Sequence, residues 1–397
     1  MKIAVIGTSN SVFKNNYVTA LSVENEVYNL SSGRVPFYSH ITTILKNSDF
    51  LESMDVVIVD HYVNDVNFYS SKLGAKYTDK LPYFYALLSR LNVPIINFFA
   101  AFYGLEEHEN YDYFKLVKKL SGQFSFNILD LNEYSFDKEM YSDFIHLKRE
   151  ISFFIGQKLS QYLKENSLVQ PSRIQGFENP FYLFYEDEFE NYPELIKGRF
   201  SNSLLKLNYF ELKGDVEISD HGDLLSIGYI NTTKGEPLTI LKINNSNFLL
   251  DGFGYYHESV PSGISGCIKL SASKLKDEAP LSLMGRKYKG NETQQTPPCL
   301  VDLLFMKNSY PDLEIPDGKA NQIKLDYFNE YLHLTFPSNG HILEENEVNI
   351  LKRASLDLEE INSRLSLKLM RIVKRCWPED KIALKKMKEH RMKNKEK

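Results

Sequence analysis

The chain has 397 residues, 43% hydrophobic and 13% aromatic, with a net charge of −5. That length exceeds what one core organises, so two packed units are expected, and the acidic balance excludes a molecule-wide electrostatic grip on nucleic acid. No apolar stretch is long enough to span a bilayer, Met1 runs straight into a strand-like segment with no room for a secretory leader, and Cys267, Cys299 and Cys376 are scattered and odd in number, so a soluble cytoplasmic protein with reduced thiols is expected.

From Met1 to about Asn166, apolar runs alternate with helical patterns. Ile3–Ile6, Val27–Leu30, Val56–Asp60, Val93–Phe99 and Phe124–Leu129 read as buried strands. Such alternation predicts a parallel sheet with helices on both faces, whose sites gather at the carboxyl ends of strands. After a helix over Leu147–Glu165, residues 167–200 form a turn-rich aromatic connector with Pro171, Gly176, Pro180 and Pro193.

Residues 201–342 then lose the helical period. Leu204–Leu212, Val216–Ser219, Leu224–Ile230, Leu238–Ile243, Cys299–Met306 and Ile323–Phe336 alternate or are β-rich, predicting an antiparallel β-sandwich or jelly-roll-like accessory domain. Over 343–397 the helical period returns, with Leu351, Ala354, Leu358, Ile361, Leu365 and Leu369 as an apolar stripe that Pro378 ends or interrupts. The basic tail 381–397 reads as a solvated end or a grip on an acidic surface.

Chemistry concentrates in the first 166 residues. The run Lys2–Ser11 is an apolar strand entering a small-residue turn that can present Ser9 at the sheet edge, at the positive end of a helix that opens at Asn10 or Ser11 and reaches into Tyr17–Leu21. A serine hydroxyl needs a base, and His146 can supply it, with Asp143 three residues earlier fixing the imidazole tautomer. Two further segments, Asn29–Gly33 and Tyr62–Asp65, follow strand-like runs. The backbone N–H groups of Ser9 and Gly33 with the Asn64 amide can surround the oxyanion formed when Ser9 attacks an ester.

Together these residues resemble the SGNH (GDSL-like) hydrolase superfamily, over roughly the first 165 positions. Gly7-Thr8-Ser9 looks like its Gly-Asp-Ser block with Thr8 in the aspartate's place, Asn29–Gly33 like its glycine block, and Tyr62–Asp65 like its Gly-x-Asn-Asp block with Tyr62 replacing the glycine. Asp143–His146 matches the last block unchanged. The resemblance implies a flavodoxin-like α/β catalytic domain over 1–166. It also implies Ser9 as nucleophile, Ser9, Gly33 and Asn64 as oxyanion donors, His146 as base and Asp143 as its orienting partner. His61, Tyr62 and Asp65 then read as residues lining the cleft, His61 being equally readable as structural.

The remaining constellations are open. Phe181–Tyr192 can stack on a sugar or pack between the units, and Gly252–Tyr256 is a ligand loop or a tight aromatic turn. Cys267 and Cys299 read as buried small hydrophobes, and His221, His257, His333 and His341 lack the spacing of a metal site. No metal is assigned, and no glycine-rich loop for ATP or NAD is present. The leading expectation is a serine esterase removing O-acyl, chiefly acetyl, groups from a carbohydrate. Alternatives are a sugar or polysaccharide O-acetyltransferase with acetyl-CoA as acyl donor, and a noncatalytic binding protein of surface-polysaccharide production.

Overall fold

The structure is a computed structural model that describes residues 1–201, 205–231, 239–250, 254–261, 264–272, 296–325 and 328–329. The helical segment expected over 343–397, like Cys376, His333, His341 and most of the strand expected over Ile323–Phe336, lies outside the described residues. In the first unit, β1 (Lys2–Ile6), β2 (Glu26–Asn29), β3 (Val56–Val59), β4 (Ile95–Phe99) and β5 (Asn127–Asp130) run parallel in the flavodoxin-like order β2-β1-β3-β4-β5. Apart from exposed Lys2 and buried Asn97, the three middle strands are apolar and almost fully buried, as strands covered on both faces should be.

Right-handed crossovers place the helices Tyr17–Leu21 and Arg149–Glu165, which pack together, on one face, and Phe37–Lys46, Leu81–Ser89 and Tyr111–Gln123 on the other. The strand order turns back between β1 and β3. Beyond the carboxyl ends of those two strands an α/β sheet opens a crevice, and the segments after β1 and β3 border it.

The second unit is a pair of antiparallel sheets. One orders Gly254–Ser259, Asp223–Asn231, Cys299–Met306, Lys206–Leu212 and Leu195–Ser201, with Phe181–Phe184 also paired to Cys299–Met306; the other orders Val216–Ile218, Ile268–Ala272, Thr239–Ile243 and Ser246–Leu250. Ile227, Tyr229, Leu241, Phe248, Leu270 and Leu303 from both sheets share one core, while Phe181, Leu183, Leu304 and Met306 join the core of the first unit.

The chain path departs from the sequence reading in two places. The segment 167–200, expected to be a connector, supplies the strands Phe181–Phe184 and Leu195–Ser201. Of the strand expected over Ile323–Phe336, the described residues 323–325 form none; just before them a short strand, Asn321–Gln322, runs parallel to β5 at the edge of the first sheet. The sandwich therefore leaves and rejoins the first unit, and its two ends meet where Lys307 N–H donates to Pro180 O at 2.9 Å.

A polar cluster sits between the units. Lys46, closing the helix Phe37–Lys46, places Nζ 2.7 Å from Asp302 Oδ2. Tyr255 donates to the same oxygen at 3.2 Å and shares a short hydrogen bond with His257 Nε2. Gly228, opposite Asp302 across the ladder, is required here, because a Cβ on it would lie 2.3 Å from Asp302 Oδ1.

Candidate active site

The nucleophile turn follows β1. The helix after it begins at Ser9 itself and ends at Val12, a single turn separate from Tyr17–Leu21, so the longer helix expected from the sequence does not form. Gly7 must be glycine: a Cβ there would lie 2.2 Å from Ser11 Oγ. Beneath the turn, the buried carboxylate Oδ2 of Asp60 accepts from Thr8 Oγ1 at 3.1 Å and Ser11 Oγ at 3.0 Å. Burial pushes the Asp60 carboxyl up against the lowering effect of those hydrogen bonds. Asp60 thus ties down the turn that carries Ser9, a contact the sequence does not announce except by an acid closing the apolar run Val56–Asp60.

The candidate base, His146, comes from the far end of the unit. Tyr141–Asp143 and His146–Leu147 form a tight antiparallel hairpin, and Asp143 Oδ1 pins its tip by accepting from the N–H groups of Ile145 and His146, both at 3.0 Å. Asn10 Nδ2 donates to Ile145 O at 3.3 Å, joining the hairpin to the nucleophile turn. Ser9 Oγ lies 2.6 Å from His146 Nε2, and His146 Nδ1 lies 2.8 Å from each Asp143 oxygen. A carboxylate at Nδ1 fixes the tautomer with the proton there, leaving Nε2 to accept from the serine. Partial burial pushes the Asp143 carboxyl up, but the hydrogen bonds from His146 and Ile145 outweigh it and hold the group below its ordinary value, ionised.

The donor segments adjoin this pair. Ser32 N–H donates to Gly7 O at 3.0 Å, and Asn64 Nδ2 donates to Val35 O at 3.2 Å, so the loop 32–35 is tied to both the nucleophile turn and the asparagine helix. The N–H groups of Ser9 and Gly33 meet no acceptor among the described residues, and the Asn64 amide has a second hydrogen to give. Asn64→Ala is expected to lower kcat for an activated ester about 100-fold with little change in KM, a split that steady-state kinetics reads directly.

Three residues expected to line the cleft do not. His61, Tyr62 and Asp65 are buried. His61 Nδ1 sits 3.2 Å from Asp65 Oδ2 and Nε2 3.2 Å from Tyr85 OH, while Asp65 Oδ1 accepts from Phe37 N–H and from Tyr77 OH. Tyr62 donates to Ala100 O and accepts from Asn132 Nδ2. His61 and Asp65 pair with each other and Tyr62 with Ala100 and Asn132, each satisfied in the core as buried polar groups must be. The exposed flank of the site is aromatic instead. Phe13 packs edge-on against the His146 ring at 4.9 Å, and Tyr103 and Phe144, joined by a backbone hydrogen bond of 2.8 Å, stand beside the hairpin, all three more than 40% exposed.

The aromatic segment Phe181–Tyr192 packs between and within the units: Phe181 joins the first core, and Phe184 and Phe189 the second. Tyr255 and Tyr256 lie in the strand Gly254–Ser259 rather than in a loop, with Gly252 and Phe253 outside the described residues. Cys299 is buried as expected, but Cys267 is exposed at the bend before Ile268–Ala272. Among the described residues, no helix is long and apolar enough to cross a membrane.

No family model and no curated protein matches the sequence. Solved structures do. An acetyl xylan esterase, AlAXEase, is 17% identical with a TM-score of 0.34, the match covering 42% of this chain and 98% of that one. A lipase/acylhydrolase from Enterococcus faecalis is 14% identical with a TM-score of 0.34, covering 44% and 99%. An acetyl-xylooligosaccharide esterase from Geobacillus is 15% identical with a TM-score of 0.33, covering 43% and 97%. Each match spans nearly all of the other chain and less than half of this one.

Proposed function

We propose that this chain is a serine-dependent acyl-transfer enzyme of the SGNH type, an esterase removing O-acyl, foremost acetyl, groups from a carbohydrate. The observation that carries this reading is the unbroken relay from Ser9 Oγ through His146 to Asp143. Ser9 attacks the ester carbonyl as His146 Nε2 takes its proton. The N–H groups of Ser9 and Gly33 and the Asn64 amide stabilise the oxyanion. The imidazolium, steadied by ionised Asp143, returns the proton to the departing alkoxide, and the sugar hydroxyl leaves. Water, deprotonated by the same nitrogen, then releases the acid from Ser9 and regenerates the hydroxyl.

A carbohydrate is supported by the exposed rings of Phe13, Tyr103 and Phe144 around His146, since aromatic faces stack well on the apolar faces of sugar rings. A fluorophosphonate probe is expected to label the protein once, on the peptide containing Ser9, and His146→Ala to abolish labelling. Mass spectrometry checks both, and labelling elsewhere overturns the assignment. Supplying acetyl-CoA with candidate saccharides then separates an esterase, which frees acetate, from an O-acetyltransferase using the same residues, which leaves acetate on the sugar.

A further inference from the structure

The loop carrying Gly33 also carries a cation that the catalytic steps do not use. Arg34 lies between Ser32 and Val35, the two residues that tie this loop to Gly7 and Asn64. Its backbone is left-handed, with φ of 54°, a conformation that costs a residue bearing a Cβ and that three of the other four such non-glycine residues among those described meet with asparagine. Its side chain is exposed, and its guanidinium lies over the Phe68 ring, 5.9 Å from the centroid. Lys46 and Lys118 each contact a carboxylate within 3 Å, whereas Arg34 has no carboxylate partner among the described residues.

A guanidinium drawn to a ring by cation–π attraction keeps its N–H groups available as a fork for a two-oxygen acceptor. Arg34 follows Gly33 directly, so this cation without a carboxylate partner belongs to the same loop as the unpartnered Gly33 N–H. The geometry points to Arg34 as a specificity-determining residue that binds an anionic oxo group, a carboxylate or a phosphate, borne by the substrate near its ester. Resting on the acyl-transfer reading above, this makes the substrate class an acidic sugar carrying an O-acyl group. Because the cation and the oxyanion donor share one loop, the anion and the scissile carbonyl are read together.

The test compares kcat/KM for three acetates, an O-acetylated uronic acid, an O-acetylated hexose phosphate and a neutral O-acetylated hexose, in the wild-type full chain and in Arg34→Gln, Arg34→Lys and Arg34→Gly. The wild type is expected to prefer one anionic ester over the neutral one, by on the order of tenfold or more, and the preferred ester identifies the anion as carboxylate or phosphate. Arg34→Gln lowers that ratio about tenfold, chiefly through KM, and Arg34→Lys restores part of it, since a point charge lacks the fork. Arg34→Gly suits the backbone and so separates charge from strain; its ratio falls as in Arg34→Gln. Equal wild-type turnover of all three esters, an unchanged ratio in Arg34→Gln, or equal losses on neutral and anionic esters overturns the inference. Failure of the underlying reading looks different: no acetate, aryl acetate included, is cleaved, and the fluorophosphonate leaves Ser9 unlabelled.

Discussion

Ser9→Ala and His146→Ala are each expected to lower kcat/KM for an aryl acetate by on the order of 10³-fold or more, with thermal unfolding unchanged. The two groups are 2.6 Å apart and, in the proposed mechanism, act in one proton transfer, so the double variant should be scarcely worse than either single one. Asp143→Asn is expected to cost less, about 100-fold, because the Asp143 side chain is half exposed and water can partly replace its carboxylate. The ordering follows from geometry: the hydroxyl and imidazole touch reacting atoms, whereas the carboxylate acts through the ring. Activity retained in both alanine variants would remove the serine mechanism and favour a noncatalytic role in polysaccharide assembly.

Lys46→Met is expected to destabilise the protein by about 3 kcal/mol, read as a lower denaturant midpoint. The substitution leaves Asp302 fully buried without its cation, and the quarter exposure of Lys46 keeps the effect at the low end for a broken buried pair. Removing both charges in Lys46→Met with Asp302→Asn should recover part of the loss, because the expense lies in the stranded charge rather than in the missing contact. A loss below about 1 kcal/mol in the single variant would show that water reaches the carboxylate.

The same cluster fixes an acid limb. Burial pushes the His257 imidazole down to about 4 from 6.5, against the opposing influence of Asp302. As pH falls from about 6.5 to about 4, the unfolded chain therefore takes up a proton that the folded one refuses. Stability present above that window is lost across it, on the order of 3 kcal/mol for this group. Asp302 is held below its ordinary carboxylate value despite burial, chiefly by Lys46, so its contribution is lost only at lower pH. His40, buried and pushed down to about 3, adds to the loss in the same direction. His257→Leu should flatten the decline between pH 6.5 and 4 in denaturation measured across that range.

The five strands of the parallel sheet are legible in the sequence because each carries an apolar run, longest in β1, β3 and β4, which are covered on both faces. Asn321–Gln322 carries no such signal: it is polar and joins the sheet at its edge, where Asn321 Nδ2 donates to Asn127 Oδ1 at 2.8 Å. The strands at 181–184 and 195–201 were hidden by the surrounding prolines and by residues that pack to two different cores. At the site, Ser9, Asp143 and His146 announce themselves through short local patterns. Asp60 does not, since its role depends on Thr8 and Ser11 arriving from another strand, and Lys46 and Asp302 are 256 positions apart. The buried places of His61, Tyr62 and Asp65 follow from partners as distant as Asn132, which adjacency to the asparagine block could not disclose.

The hydrogen bond between Lys307 and Pro180 makes the sandwich an insertion rather than an appendage, a loop of the first unit grown into a module with a narrow neck. Closing so short a gap costs little chain entropy, which is why insertions of this kind leave the host's folding nearly undisturbed. The module is thus exchangeable in principle: one peptide link across the neck would rejoin the host chain, provided the apolar surface that Phe181, Leu183, Leu304 and Met306 cover and the Lys46 charge are redesigned when the cassette is lifted out.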